Sequence, residues 1–296
     1  MFSFNYFSIF LFLSFISISM NNAFFTWCIL EVYSLIFLLF VFTSQYFFEN
    51  KNSFVYFGLL NLFFSVVLIF SLVNDIYFLS FLSLVGKMGS FPMMEWVINF
   101  VNNSSWEVSW YFFSVNKIIP VFFVFEYLNN NVFLVLAYFF FNTFISIQNA
   151  FLVNSFHSLI SWSAIGGTGF FVFLVNFSSN FFLFLGLLFI YSLNLFVIFF
   201  NINNLNHYFW LIILLFGIPP FSMFVFKVSV FSVFINFYGI FLNYFFLFFF
   251  FFMGVSYFYF FFKESQNLLI QNTQFTFLGN FWFFLVLFFC FSVLVF

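Results

Sequence analysis

Charge is what this sequence has least of. Five basic and seven acidic residues make up 4% of 296 positions, and every basic residue is a lysine. Soluble domains carry roughly a quarter charged residues. Twelve charges cannot cover a soluble fold of this length with a hydrated surface, so that class is excluded. The net charge of -2 leaves no basic patch for nucleic acid. Cysteine is scarce too. Cys28 and Cys290 sit in apolar runs and read as small buried hydrophobes. The two histidines, His157 and His207, are isolated from each other and from cysteine, so no metal-ligand spacing exists and no metal or other cofactor is expected. The first apolar run lacks a basic start and an Ala-x-Ala site, so no cleavable targeting segment is expected.

What the sequence has is apolar length. Hydrophobic residues make up 66% of the chain, and 74 residues are Phe. We read the Phe excess as A+T-rich coding bias, with Phe standing where only apolarity matters. A small organelle genome is a natural home for such a chain. The bilayer core is the solvent that suits this surface, and crossing it takes about 20 apolar residues.

Polar clusters divide the sequence into eleven expected spans, near 3–20, 23–44, 54–73, 76–98, 106–127, 131–147, 151–174, 181–200, 208–233, 238–262 and 275–296. Short loops join them. The expectation is one transmembrane domain over 1–296, all α-helical and polytopic, with no soluble module. Lys51 and Lys263 fall in loops on one side, together with Glu49 and Glu264, which places the N-terminus on the charge-retaining side.

Four charged residues fall inside spans and away from the span ends: Glu31, Lys87, Lys117 and Lys227. Each costs about 2.5–3.5 kcal/mol at the centre of a membrane helix. Intramembrane charges of this kind mark ion pathways or lock helices together as structural pairs. Desolvation favours the neutral form of an amine and of a carboxyl, so a Lys beside a Glu is a switchable proton site. Glu31 with Lys87 is the expected pair.

All four prolines, Pro92, Pro120, Pro219 and Pro220, lie within or beside these spans, each near a span lysine. Proline removes a backbone donor and disrupts a helix. Broken helices at membrane depth line cavities in transporters. Lys87 and Lys227 are five spans apart, and an odd repeat inverts topology, so two inverted repeats are expected. Glu95, Glu107 and Glu126 lie near span ends, Asp75 reads as an interface residue, and His157 as a polar helix contact.

Four motifs then carry a resemblance. Lys87-Met88-Gly89-Ser90-Phe91-Pro92-Met93-Met94-Glu95-Trp96 matches Lys-x-Gly-x-x-Pro-x-x-x-Trp. Asn116-Lys117-Ile118-Ile119-Pro120 is similar to Gln-Lys-x-x-Pro. Gly217-Ile218-Pro219-Pro220 with Phe224 and Lys227 matches Gly-x-Pro-Pro-x-x-x-Phe-x-x-Lys. Trp27 and Glu31 match Trp-x-x-x-Glu. In this order and spacing they resemble the NADH dehydrogenase subunit 2 family, mitochondrially encoded membrane subunits of respiratory complex I. The anchors run from 27 to 227.

The resemblance implies an antiporter-like fold with two inverted five-helix repeats and discontinuous helices, in a shortened form of about eleven helices. It implies a proton-translocating role in the mitochondrial inner membrane, with Glu31, Lys87, Lys117 and Lys227 on the path and no redox centre in this chain. Its implied partners are other complex I membrane subunits, including neighbouring antiporter-like subunits, and lipid. Gly167 stands where that family has a His, Met94 replaces a second His, and Asn116 replaces Gln. Water, Ser163 or Thr168 then has to bridge the gap. A free-standing cation/proton antiporter and a purely structural subunit remain the rival readings.

Overall fold

The structure, a computed structural model, describes residues 2–20, 22–44, 51–127, 132–177, 181–201, 247–260 and 262–263, together with Val228 and Ser232. Every element among the described residues is helical. Long apolar runs with no polar surface have one way to satisfy their backbone in hydrocarbon, which is to close each hydrogen bond within the segment.

Helices α1 (Phe2–Ser19), α2 (Ala23–Ser44) and α3 (Lys51–Val73) follow the expected spans, and Lys51 opens α3 rather than lying in a loop. A turn through Asp75, at φ 54, leads into α4 (Tyr77–Lys87). Next come α5 (Glu95–Asn102), α6 (Trp106–Phe113), a single 3-10 turn (Val115–Lys117) and α7 (Ile118–Tyr127). Helices α8 (Val132–Leu152), α9 (Phe156–Phe177) and α10 (Phe181–Asn201) complete the continuous series. A further apolar helix covers Leu247–Phe260.

Two expected spans are broken. The span near 76–98 ends as a helix at Lys87 and restarts at Glu95. Gly89, at φ 69, and Pro92 lie in the gap. The span near 106–127 breaks at Ser114, whose φ of -106 and ψ of -81 leave the helical region. Pro120 lies in the first turn of α7, and its ring and missing N–H act on the carbonyl four residues earlier, that of Asn116 within the 3-10 turn.

Among the described residues, five helices are long and apolar enough to cross a membrane by length and composition: Ala23–Thr43, Phe54–Val73, Trp106–Tyr127, Val132–Leu152 and Phe156–Asn176. Their burial is uneven. An 18-residue window of α9 is 94% buried, whereas one of α3 is 28% buried. Helix α9 is therefore the central post, and α5, α7, α8 and α10 pack around it. Outer faces show large apolar side chains such as Phe12, Phe63, Leu39 and Phe133, while Ser83, Ser90, Asn142, Ser146 and Lys117 are buried. Apolar outside with polar groups inside suits lipid as the surrounding solvent. Apart from Val228 and Ser232, the expected spans near 208–233 and 275–296 lie outside the described residues, as do Lys227, Pro219, Pro220, Phe224, His207, Cys290, Glu49 and Glu264.

Candidate functional site

The two helix breaks carry the lysines. Lys87 is the last residue of α4, and its Nζ lies 2.5 Å from Glu31 Oε1 on α2. The Lys87 side chain is 3% exposed and that of Glu31 20%, so the pair sits at the edge of the packed interior with the carboxylate outermost. Helix ends leave carbonyls without partners, and a lysine in the last turn complements them.

The backbone between Lys87 and Glu95 needs partners of its own, because an unpaired peptide group is costly away from water. Asn142 on α8 supplies one. Its Oδ1 accepts from the Phe91 N–H at 3.0 Å, while its Nδ2 donates to the Ile165 carbonyl at 2.7 Å and to Thr168 Oγ1 at 3.3 Å. This one amide bolts the broken span to both α8 and α9. Gly89 and Ser90 donate back to the Gly86 and Val85 carbonyls, which tightens the exit from α4.

Lys117 ends the 3-10 turn and is 2% exposed. Its Nζ donates to the Ala164 carbonyl of α9 at 3.1 Å and lies 5.0 Å from the centre of the Phe113 ring. An ammonium over an aromatic face is a favourable contact where water is scarce. Among the described residues, no carboxylate lies within ion-pair distance of this amine. The two lysines thus differ in kind: one faces a carboxylate, the other a carbonyl and a ring.

Small residues on α9 bring its neighbours close. A Cβ at Gly166 would lie 2.7 Å from Ser146 Oγ of α8, and one at Gly167 would lie 3.2 Å from the Tyr191 hydroxyl of α10. The Tyr191 hydroxyl therefore sits beside Gly167. The sequence singles out neither Tyr191 nor Tyr138, and Asn142 and Ser90 stand in it only among the Asn and Ser residues inside spans that hold water or join helices. The available signal was buried polarity on α8 and in the gap after Lys87, hidden among many serines. Most of those serines bond their own helix: Ser14, Ser65, Ser71, Ser83 and Ser161 each donate to the carbonyl three residues back.

The remaining charges lie away from this core. Glu95 is exposed at the start of α5, Glu107 lies in the first turn of α6, and Glu126 is exposed near the end of α7. Lys263 bonds the Asn154 side chain beyond the end of α8. His157, near the start of α9, packs against Phe199 with ring centres 6.2 Å apart. No group of three or more His, Cys, Asp or Glu able to hold a metal occurs among the described residues.

No family model matches the chain, and a sequence comparison with curated proteins finds no match. Solved structures share its fold. A chain in the structure of the Mrp complex from Dietzia sp. DQ12-45-1b superposes with a TM-score of 0.68 at 14% identity, over 85% of this chain and 59% of that one. A chain of respiratory complex I from Thermus thermophilus with bound aureothin superposes with a TM-score of 0.68 at 13% identity, over 82% of this chain and 65% of that one. The present chain thus spans less than two thirds of either. Identity at this level speaks for fold alone, and the all-helical fold is the one shared with these chains of an Mrp complex and of respiratory complex I.

Proposed function

We propose that this chain is a proton-translocating membrane-arm subunit of complex I, of the NADH dehydrogenase subunit 2 type, in the mitochondrial inner membrane. The observation that carries the reading is the placement of Lys87 and Lys117 at two helix breaks, with Glu31 paired to the first. Broken helices expose backbone dipoles and make room for water at membrane depth. An ion pair at one break and an amine without a carboxylate at the other form two sites of unequal electrostatics. A proton held at Lys87 has a neutralising charge beside it. A proton held at Lys117 has a carbonyl and a ring. Movement of the Glu31 carboxylate away from Lys87 shifts the balance between them.

In this reading NADH oxidation and ubiquinone reduction occur in other subunits. Their free energy reaches this chain as a conformational or electrostatic change, and protons pass along Glu31, Lys87, Lys117 and Lys227 with water between. Partners are neighbouring membrane-arm subunits and lipid. The equal likeness to a chain of an Mrp complex supports a second reading, a cation/proton antiporter. Purification decides between them. The complex I reading expects the chain to co-purify with an NADH-oxidising, quinone-reducing assembly and to be inert when reconstituted alone. Sodium- or potassium-coupled proton flux from the isolated chain would favour the antiporter.

A further inference from the structure

Three buried hydroxyls run from the gap after Lys87 to the helix that holds the Lys117 amine. Ser90 Oγ donates to the Val85 carbonyl at 3.0 Å. The Tyr138 hydroxyl donates to Ser90 Oγ at 2.7 Å and also lies 3.2 Å from Thr168 Oγ1. Thr168 Oγ1 donates to the Ile165 carbonyl at 2.6 Å. Ser90 is 0% exposed, Thr168 1% and Tyr138 5%. The Lys117 amine rests on the carbonyl of Ala164, one helical turn before Thr168, a rise of roughly 6 Å along α9.

Counting hydrogens gives this cluster its character. Ser90, Tyr138 and Thr168 carry one hydroxyl hydrogen each. Four contacts have to be filled: two between the hydroxyls, one to Val85 and one to Ile165. Three hydrogens cannot fill four contacts, so one contact always lacks a hydrogen. In the first arrangement that contact is Tyr138–Thr168. In the second, Thr168 turns its hydrogen to the Tyr138 oxygen and releases the Ile165 carbonyl. That carbonyl is not orphaned, because Asn142 Nδ2 already donates to it at 2.7 Å. Neither arrangement leaves a buried carbonyl without a donor, so neither meets the penalty for an unpaired polar group.

We infer that Tyr138 is a proton-relay residue joining the Lys117 site to the Lys87 site through Thr168 and Ser90. The inference rests on the proton-translocating reading above. In the second arrangement the donors point one way, from Thr168 through Tyr138 to Ser90. A proton delivered by water from the Lys117 side forms a new O–H bond at Thr168. Thr168 passes its former hydrogen to Tyr138 and Tyr138 passes its own to Ser90. Ser90 turns its original hydrogen away from the Val85 carbonyl, which keeps the Ser90 N–H as donor, and releases that hydrogen to water at the break beside Lys87. Each oxygen gains one proton and loses one, so all three return neutral. Rotation of the three hydroxyls resets the chain.

The test uses the assembled complex in proteoliposomes, comparing Tyr138→Phe, Thr168→Val, Thr168→Ser and Lys117→Met. Protons moved per electron are read beside the electron-transfer rate. Tyr138→Phe and Thr168→Val are expected to lose the same share of pumping as Lys117→Met, and Thr168→Ser, which restores the hydroxyl, is expected to recover it. A purely structural bond would instead make both Thr168 variants track assembly level, with pumping per assembled complex unchanged. Normal stoichiometry in Tyr138→Phe and Thr168→Val, with a deficit in Lys117→Met, overturns the relay and leaves the proposed function standing. Normal stoichiometry in Lys117→Met as well overturns both. If Tyr138→Phe does not assemble, the Thr168 pair decides, since Val matches Thr in shape.

Discussion

Glu31 and Lys87 lie 56 residues apart in sequence and meet at 2.5 Å, the carboxylate from the middle of α2 and the amine from the last residue of α4. The contact joins an intact helix to a broken one. The pair is also asymmetric, since the amine is enclosed and the carboxylate reaches the edge of the packed interior.

Removing one partner of such a pair strands the other. Glu31→Gln leaves the Lys87 ammonium enclosed without a counter-charge, a loss of about 3 kcal/mol for a buried pair. Lower assembly on native gels and a lower Tm of the complex are the expected results. Adding Lys87→Met to Glu31→Gln removes the stranded charge, so assembly recovers while proton transfer does not. If the double variant assembles no better than Glu31→Gln, the pair is not the source of the defect.

The amide of Asn142 serves three partners across two other segments. Asn142→Leu keeps the volume and orphans the Phe91 N–H at membrane depth. The expected cost is about 1–3 kcal/mol, read as a lower unfolding temperature of the purified complex. Asn142→Asp, held neutral by burial, keeps the acceptor for Phe91 and has one O–H for Ile165 in place of two N–H donors, and is expected to fall between Leu and the native residue. Equal stability of all three would remove Asn142 from the account of the break.

Gly89 occupies the left-handed region at φ 69, and a Cβ there would lie 2.1 Å from Val97 Cγ2. Gly89→Ala meets both a backbone penalty of about 1–2 kcal/mol and a clash. The gap between α4 and α5 then opens or shifts, and Lys87 moves with it. Reduced assembly is expected, partly relieved by Val97→Ala. Wild-type assembly of Gly89→Ala would contradict the geometry of the gap.

Much of the helical plan was legible in the sequence because hydrocarbon leaves so few choices. Asn21-Asn22 and Asn74-Asp75 mark ends that the structure reproduces, and α2 and α10 match the expected spans to within a residue. The breaks were legible only in part. Pro92 pointed to the gap after Lys87, whereas Pro120 pointed three residues past Lys117, when the departure from helix occurs before it, at Ser114. Hydropathy averaged over a whole span reads the 3-10 turn between Ser114 and Ile118 as continuous helix, because the apolar residues on both sides outweigh Ser114, Asn116 and Lys117. Tyr138 and Asn142 were harder still. Each is one polar residue on an apolar helix, and its meaning depends on which neighbour it faces. Periodicity does not encode the pairing of α8 with α9, nor the closeness that Gly166 and Gly169 permit.

Lys117 is where the account is most exposed to test. Its amine is enclosed, lacks a carboxylate partner among the described residues, and terminates the turn between α6 and α7. Methionine matches its length without a titratable group, so Lys117→Met retains the packing and removes the proton site. The measurement is protons translocated per electron by the assembled complex carrying Lys117→Met, at matched electron-transfer rate. A proton-pathway subunit requires a lower ratio with electron transfer still possible. An unchanged ratio in a fully assembled complex would reduce these buried charges to struts between helices.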